Sequence, residues 1–76
     1  MRRPLYTIAR EIRADWKKVS PYAAPYLQAM SYLNSVDDKY ILDSGRSIVS
    51  YFLANAGSWR GETAKRIKAE LKAMVK

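Results

Sequence analysis

Apolar side chains recur along this chain at helical rather than strand intervals. Leu5, Ile8, Ala9, Ile12, Trp16 and Val19 fall at i, i+3, i+4 and i+7 spacing and share one helix face. The pattern predicts a first helix over residues 5–19, with Pro4 suited to its first turn, where a missing N–H costs little. The stretch SPYAAP then interrupts it. Ser20 can cap a second helix over 22–34 and Pro21 can open it, while Pro25 is tolerated only within the first turn. A start nearer Pro25 is the alternative. In this helix Tyr22, Tyr26, Ala29, Met30 and Leu33 are expected to face inward.

NSVDDKYILD reads as an irregular connection, and no segment makes a convincing strand. Asp43 or Ser44 caps a third helix over 44–56. Its Ile48, Val49, Phe52, Leu53 and Ala56 form the most apolar face in the chain, which marks it as central. Gly57 is placed to stop it and Ser58 to cap a fourth helix over 59–75. Arg60, Ala64, Ile67, Leu71, Met74 and Val75 line one side of that last helix. The expected fold is all-α, a small single-domain bundle of about four short amphipathic helices spanning residues 1–76.

Composition narrows the function classes. The 76 residues include no cysteine and no histidine, which removes disulfides, thiolate chemistry, the commonest metal ligand and the usual general base. The seven carboxylates form no compact cluster beyond Asp37–Asp38, so the chain is read as a non-enzyme without cofactor or metal. Asp37, Asp38 and Asp43 match no EF-hand spacing and are read as caps and solvated acids. No apolar run reaches membrane-spanning length, and the acids in MRRPLYTIAREIRADW do not suit a secretory signal, so a cytoplasmic, non-membrane protein is expected.

Charge adds a partner. Of the net +7, residues 1–20 carry six basic against two acidic side chains, residues 58–76 carry the same, and the middle is near neutral. Within the last helix Lys65, Lys68, Lys72 and Lys76 share one flank, while Glu62, Arg66 and Glu70 lie on the other and can pair with one another. In the first helix Arg10, Arg13 and Lys17 form a similar stripe, with Glu11, Asp15 and Lys18 across from it and Arg2 and Arg3 extending the positive end. Segregated cations of this kind suit a phosphate backbone, provided the first and last helices adjoin. FLANAGSWRGETAKRI has the outline of a helix-turn-helix with Trp59, Arg60 and Glu62 early in the second helix. Gly61 and the bulk of Trp59 argue instead for an ordinary helical corner. Tyr22, Tyr26 and Tyr51 are expected to border the core, with Tyr32 outward; Trp59 can staple the turn or stand exposed.

LYTIAREIRADW, AAPYLQAM and SWRGETAKRIKAELKAM together resemble short uncharacterised accessory proteins of bacteriophages and prophages. The resemblance spans most of the chain and rests chiefly on WRGETAKRIKAEL. It implies a phage-type accessory protein in a bacterial cytoplasm and carries no site residues with it. The leading expectation is association with nucleic acid, DNA before RNA, through Arg10, Arg13, Lys17, Lys65, Lys68 and Lys72, with Arg60 the candidate for a more specific contact. The rival is an inhibitor, for example an anti-CRISPR-like or other anti-defence factor, docking on an acidic host protein surface with Tyr32 and Trp59 as aromatic anchors. A structural or virion-associated oligomer is the third reading, with surplus apolar surface expected around Leu27 or Tyr51.

Overall fold

The computed structural model describes residues 3–76, and it is mostly helical. Helix α1 spans Leu5–Asp15, α2 Ala24–Met30, α3 Gly45–Ala54 and α4 Glu62–Val75. Between α2 and α3 lies a two-stranded antiparallel hairpin, β1 (Lys39–Tyr40) and β2 (Asp43–Ser44), which amends the all-α expectation. Arg2 lies outside the described residues.

Pro4 is the N-cap of α1 rather than its first residue, with φ −60° and ψ 145°. The orphan donors of that helix start are met from elsewhere in the chain: Leu5 N donates to Asn34 O and Tyr6 N to Leu33 O, both at 2.9 Å. The helix ends at Asp15, four residues earlier than the apolar spacing suggests. Trp16 leaves the helical path with ψ 89° while its N–H still bonds Ile12 O, and its ring turns into the core. Tertiary packing of one large aromatic has ended the helix.

Helix α2 is shorter than expected at both ends and starts beside Pro25, the alternative reading. Tyr22 therefore sits in the preceding turn and is exposed, not inward as the periodicity implied. Ser20 serves that turn through its hydroxyl, which accepts from Tyr22 N at 3.2 Å, and through its carbonyl, which accepts from Ala23 N and Ala24 N. The apolar face of α2 consists of Leu27, Ala29 and Met30, all buried; Leu27 offers no free apolar surface.

Ser44 caps α3, its Oγ accepting from Ser47 N at 3.1 Å. Helix α3 packs against both α2 and α4, and Phe52 and Val49 on it are fully buried. It ends at Ala54 with Asn55 as C-cap, so Gly57 is a turn residue beyond the helix and not its stop. Gly61, not Ser58, caps α4.

The hairpin is fixed at its base. Gly45 N donates to Asp38 O at 2.6 Å and Arg46 N to Val36 O at 2.9 Å, while the Asp38 carboxylate accepts from Asn34 N and Ser35 N. Val36 is buried, and a Cβ on Gly45 would stand 2.7 Å from Ser35 O, so only glycine permits this approach. One continuous core joins the inward faces of all four helices with Trp16, Leu33, Val36 and Trp59.

Candidate functional site

The connection from α3 to α4 runs from Asn55 to Gly61, and Trp59 pins it. Its ring is 2% exposed, stacks on Trp16 at 5.7 Å with 8° between planes, and meets the Phe52 ring edge-on at 6.4 Å. The indole Nε1 donates to Asp15 Oδ2 at 2.8 Å, which satisfies the one polar atom of the side chain. Seating Trp59 in the core leaves Arg60, its neighbour, at the surface. Gly61 then turns the chain with φ 116°, a left-handed value that favours glycine, and opens α4 without a side-chain cap.

Around this helix start Trp59, Arg60, Gly61, Ala64, Lys65 and Lys68 line an open cleft of about 270 Å³. Lys68 reaches back from the second turn, donates from Nζ to Trp59 O at 2.6 Å, and lies 5.9 Å from the centre of the Trp59 ring. Burial holds its ammonium below the ordinary lysine range, and the charges of Lys72 and Arg60 push it further the same way. Among the described residues, Arg60, Lys65, Lys68 and Lys72 make no salt bridge to a carboxylate. Glu62, exposed in the first turn of α4, is the acid of that turn.

The other flank of α4 is neutralised. Arg3 donates to Glu70 at 2.7 Å and to Glu11 at 2.7 Å, and Arg66 also pairs with Glu11. These bridges join α1 to α4, so Glu62, Arg66 and Glu70 do not form the ladder within one helix that their spacing suggested. Glu11 is held below the usual carboxylate range, chiefly by the Arg3 hydrogen bond and then by that from Arg66. The first and last helices do adjoin, as a shared basic surface requires. However, they meet through their acidic flanks. At about 100° per residue, Arg13 and Arg10 then fall on the sides of α1 turned from this seam, and Lys68 and Lys72 on the side of α4 turned from it. Lys17 lies past the end of α1 and does not continue its stripe. The two basic stripes are separated by a balanced quartet of Arg3, Glu11, Arg66 and Glu70.

Two expectations about aromatic anchors part company here. Trp59 is a core residue and cannot serve as an exposed anchor. Tyr32 is 68% exposed, as expected, with its ring stacked on Tyr40 at 5.8 Å. Tyr51 is half-exposed and stacks on Tyr26. The seven residues between α3 and α4 exceed the three or four of a tight helix-turn-helix corner. With Trp59 buried and Arg60 preceding the helix, an ordinary helical corner is what forms. Asp38 acts as a cap and Asp37 pairs with Arg46 at 3.6 Å, in keeping with structural roles for the loop acids.

Sequence reasoning missed the hairpin tip. Ile41 and Leu42 are 80% and 92% exposed, and Ile41 has φ 60°. The apolar run YIL inside a loop rich in aspartate was the available signal. Comparison of the chain with family models, with curated proteins and with solved structures gives no match. Among the described residues no helix is long and apolar enough to cross a membrane.

Proposed function

We propose that this protein is a non-enzymatic accessory module that associates with nucleic acid through the basic flank of α4. Arg60, Lys65, Lys68 and Lys72 would contact phosphates. The observation that carries the reading is the grouping of Arg60, Lys65 and Lys68, without carboxylate partners, around the start of α4, with Lys72 continuing the flank toward the last turn. Burial, and then the charges of Lys72 and Arg60, lower the proton affinity of Lys68; a polyanion would offset the like-charge part of that effect. Phosphate oxygens also suit the unfilled N–H groups and positive dipole end of a helix start. With no recognition helix at the corner, the proposed contact is with backbone rather than base edges, duplex DNA before RNA. Arg10, Arg13 and Lys17 lie beyond the neutral seam and would serve an adjacent stretch of backbone. A phage-type setting in a bacterial cytoplasm is part of the proposal and rests on the sequence resemblance alone.

Fluorescence anisotropy against random duplexes, at roughly 50 and 200 mM salt, tests it. Four phosphate contacts imply an affinity loss of about 100-fold across that range. Lys65→Ala and Lys72→Ala should each flatten the logarithmic salt slope by about one unit, equally for unrelated sequences. No binding at the lower salt overturns the proposal. A host-protein inhibitor is the second reading, supported by the exposure of Tyr32; there Tyr32→Ala would cost more than any single lysine.

A further inference from the structure

Among the described residues, the Ile41–Leu42 tip carries the two most exposed large aliphatic side chains. Nothing in the chain's own fold rewards this arrangement. The tip is a two-residue turn with a left-handed first residue, a place where glycine is usual and a β-branched side chain is an outlier. Its support is nevertheless firm: the Gly45, Arg46 and Asp38 bonds fix the base, and the Tyr32–Tyr40 stack buttresses one side. The charge is also distinctive. Residues 31–46 hold three aspartates against Lys39 and Arg46, a slight acidic excess in a chain whose net charge is +7. Within the hairpin Lys39 balances Asp43, so the apolar knob presents no cationic patch of the kind that nucleic acid or an anionic lipid surface attracts.

The protein itself holds a complementary surface. On the exposed side of α4, Ala69 and Ala73 form the floor of a shallow groove of about 420 Å³, with Lys72 and Lys76 as its rim. Both alanines are exposed and no other element of the chain covers them among the described residues. Apolar floor meets apolar knob, and the rim lysines meet Asp43, the exposed aspartate that adjoins the tip; Asp37 is engaged by Arg46. We propose that a second copy of this chain receives the Ile41–Leu42 tip in the Ala69–Ala73 groove of α4. Tip and groove are different patches, so the contact is heterologous and each copy keeps one free end, which extends into short head-to-tail chains. Two aliphatic side chains and a small rim cover much less than the roughly 1,200 Å² of the smallest stable interfaces. The association is therefore weak and concentration-driven. It engages Lys72 and leaves Arg60, Lys65 and Lys68 near the other end of α4 uncovered.

Sedimentation velocity without nucleic acid, from about 10 µM to about 1 mM protein, reads this contact apart from any nucleic-acid binding. The wild-type sedimentation coefficient should climb with concentration. Leu42→Asp removes the knob and Ala73→Glu fills the groove; both positions are exposed, and circular dichroism should give wild-type helix content for each. Each variant alone should stay monomeric throughout. Mixed in equal amounts they should form dimers and no larger species, because one supplies an intact groove and the other an intact tip. Three results would overturn the proposal: a monomeric wild type at the highest concentration, self-association of either variant at wild-type strength, or no dimer in the mixture. A monomeric wild type that instead binds anionic vesicles through Leu42 would assign the tip to lipid, against the present inference.

Discussion

Trp59→Ala is the perturbation that most directly tests how this small fold is held together. The substitution removes a side chain that is 2% exposed, its stack on Trp16, its edge contact with Phe52 and the bond from Nε1 to Asp15. Truncating a buried tryptophan to alanine costs about 3–5 kcal/mol when the cavity does not collapse. The lost hydrogen bond adds little, because Asp15 is exposed and regains water. Against this stands a total stability of roughly 4–11 kcal/mol for a chain of this length. The variant should therefore melt about 15–30 °C lower, or be largely unfolded at 37 °C. Far-UV circular dichroism with urea and heat measures this without relying on the tryptophan signal. Trp59→Phe keeps most of the volume and loses only the Asp15 bond and part of the stack, so a cost of about 1–2 kcal/mol is expected. A Trp59→Ala loss under about 1 kcal/mol would refute the reasoning, since an aromatic anchor on the surface could be removed that cheaply.

The bridged quartet predicts acid sensitivity. Glu11 has a folded pKa below its ordinary value of 4.5, so its contribution is complete above about that pH and is lost as pH falls through the lowered value. Glu11→Gln should cost about 0.5–1 kcal/mol at neutral pH, discounted because the partners are partly exposed, and should shrink the fall in urea midpoint on acidification. Gly61→Ala forces a side chain onto φ 116° and should cost about 1–2 kcal/mol in urea titration, while Gly45→Ala, crowded by Ser35 O, should cost about 2 kcal/mol or more. Ile41→Asn relieves a β-branched residue of its left-handed φ and should stabilise the fold by about 1 kcal/mol, read as a higher melting temperature.

Local chemistry determined much of this protein from sequence alone. Helical periodicity located the apolar faces of α1, α3 and α4, because a face must repeat near every 3.6 residues to be buried. Asp43 and Ser44 marked the α3 start between them, and the structure assigns the cap to Ser44, whose hydroxyl meets an orphan N–H within its own turn. Lys65, Lys68 and Lys72 were visible as a flank of α4 for the same reason of spacing. Where helices end, and which flank faces which neighbour, depended on contacts distant in the chain. Trp16 ends α1 early because Phe52 and Trp59 are there to receive its ring. Trp59 is buried because Asp15, 44 residues away, satisfies its N–H. Glu11 and Glu70 meet through Arg3 only once α1 and α4 lie side by side, and that meeting turns the two basic stripes apart. The hairpin depends on Gly45 fitting under Ser35, a backbone approach that leaves no period in the sequence. Periodicity records which face a helix buries; only the tertiary structure decides what that face, and the charges beside it, will meet.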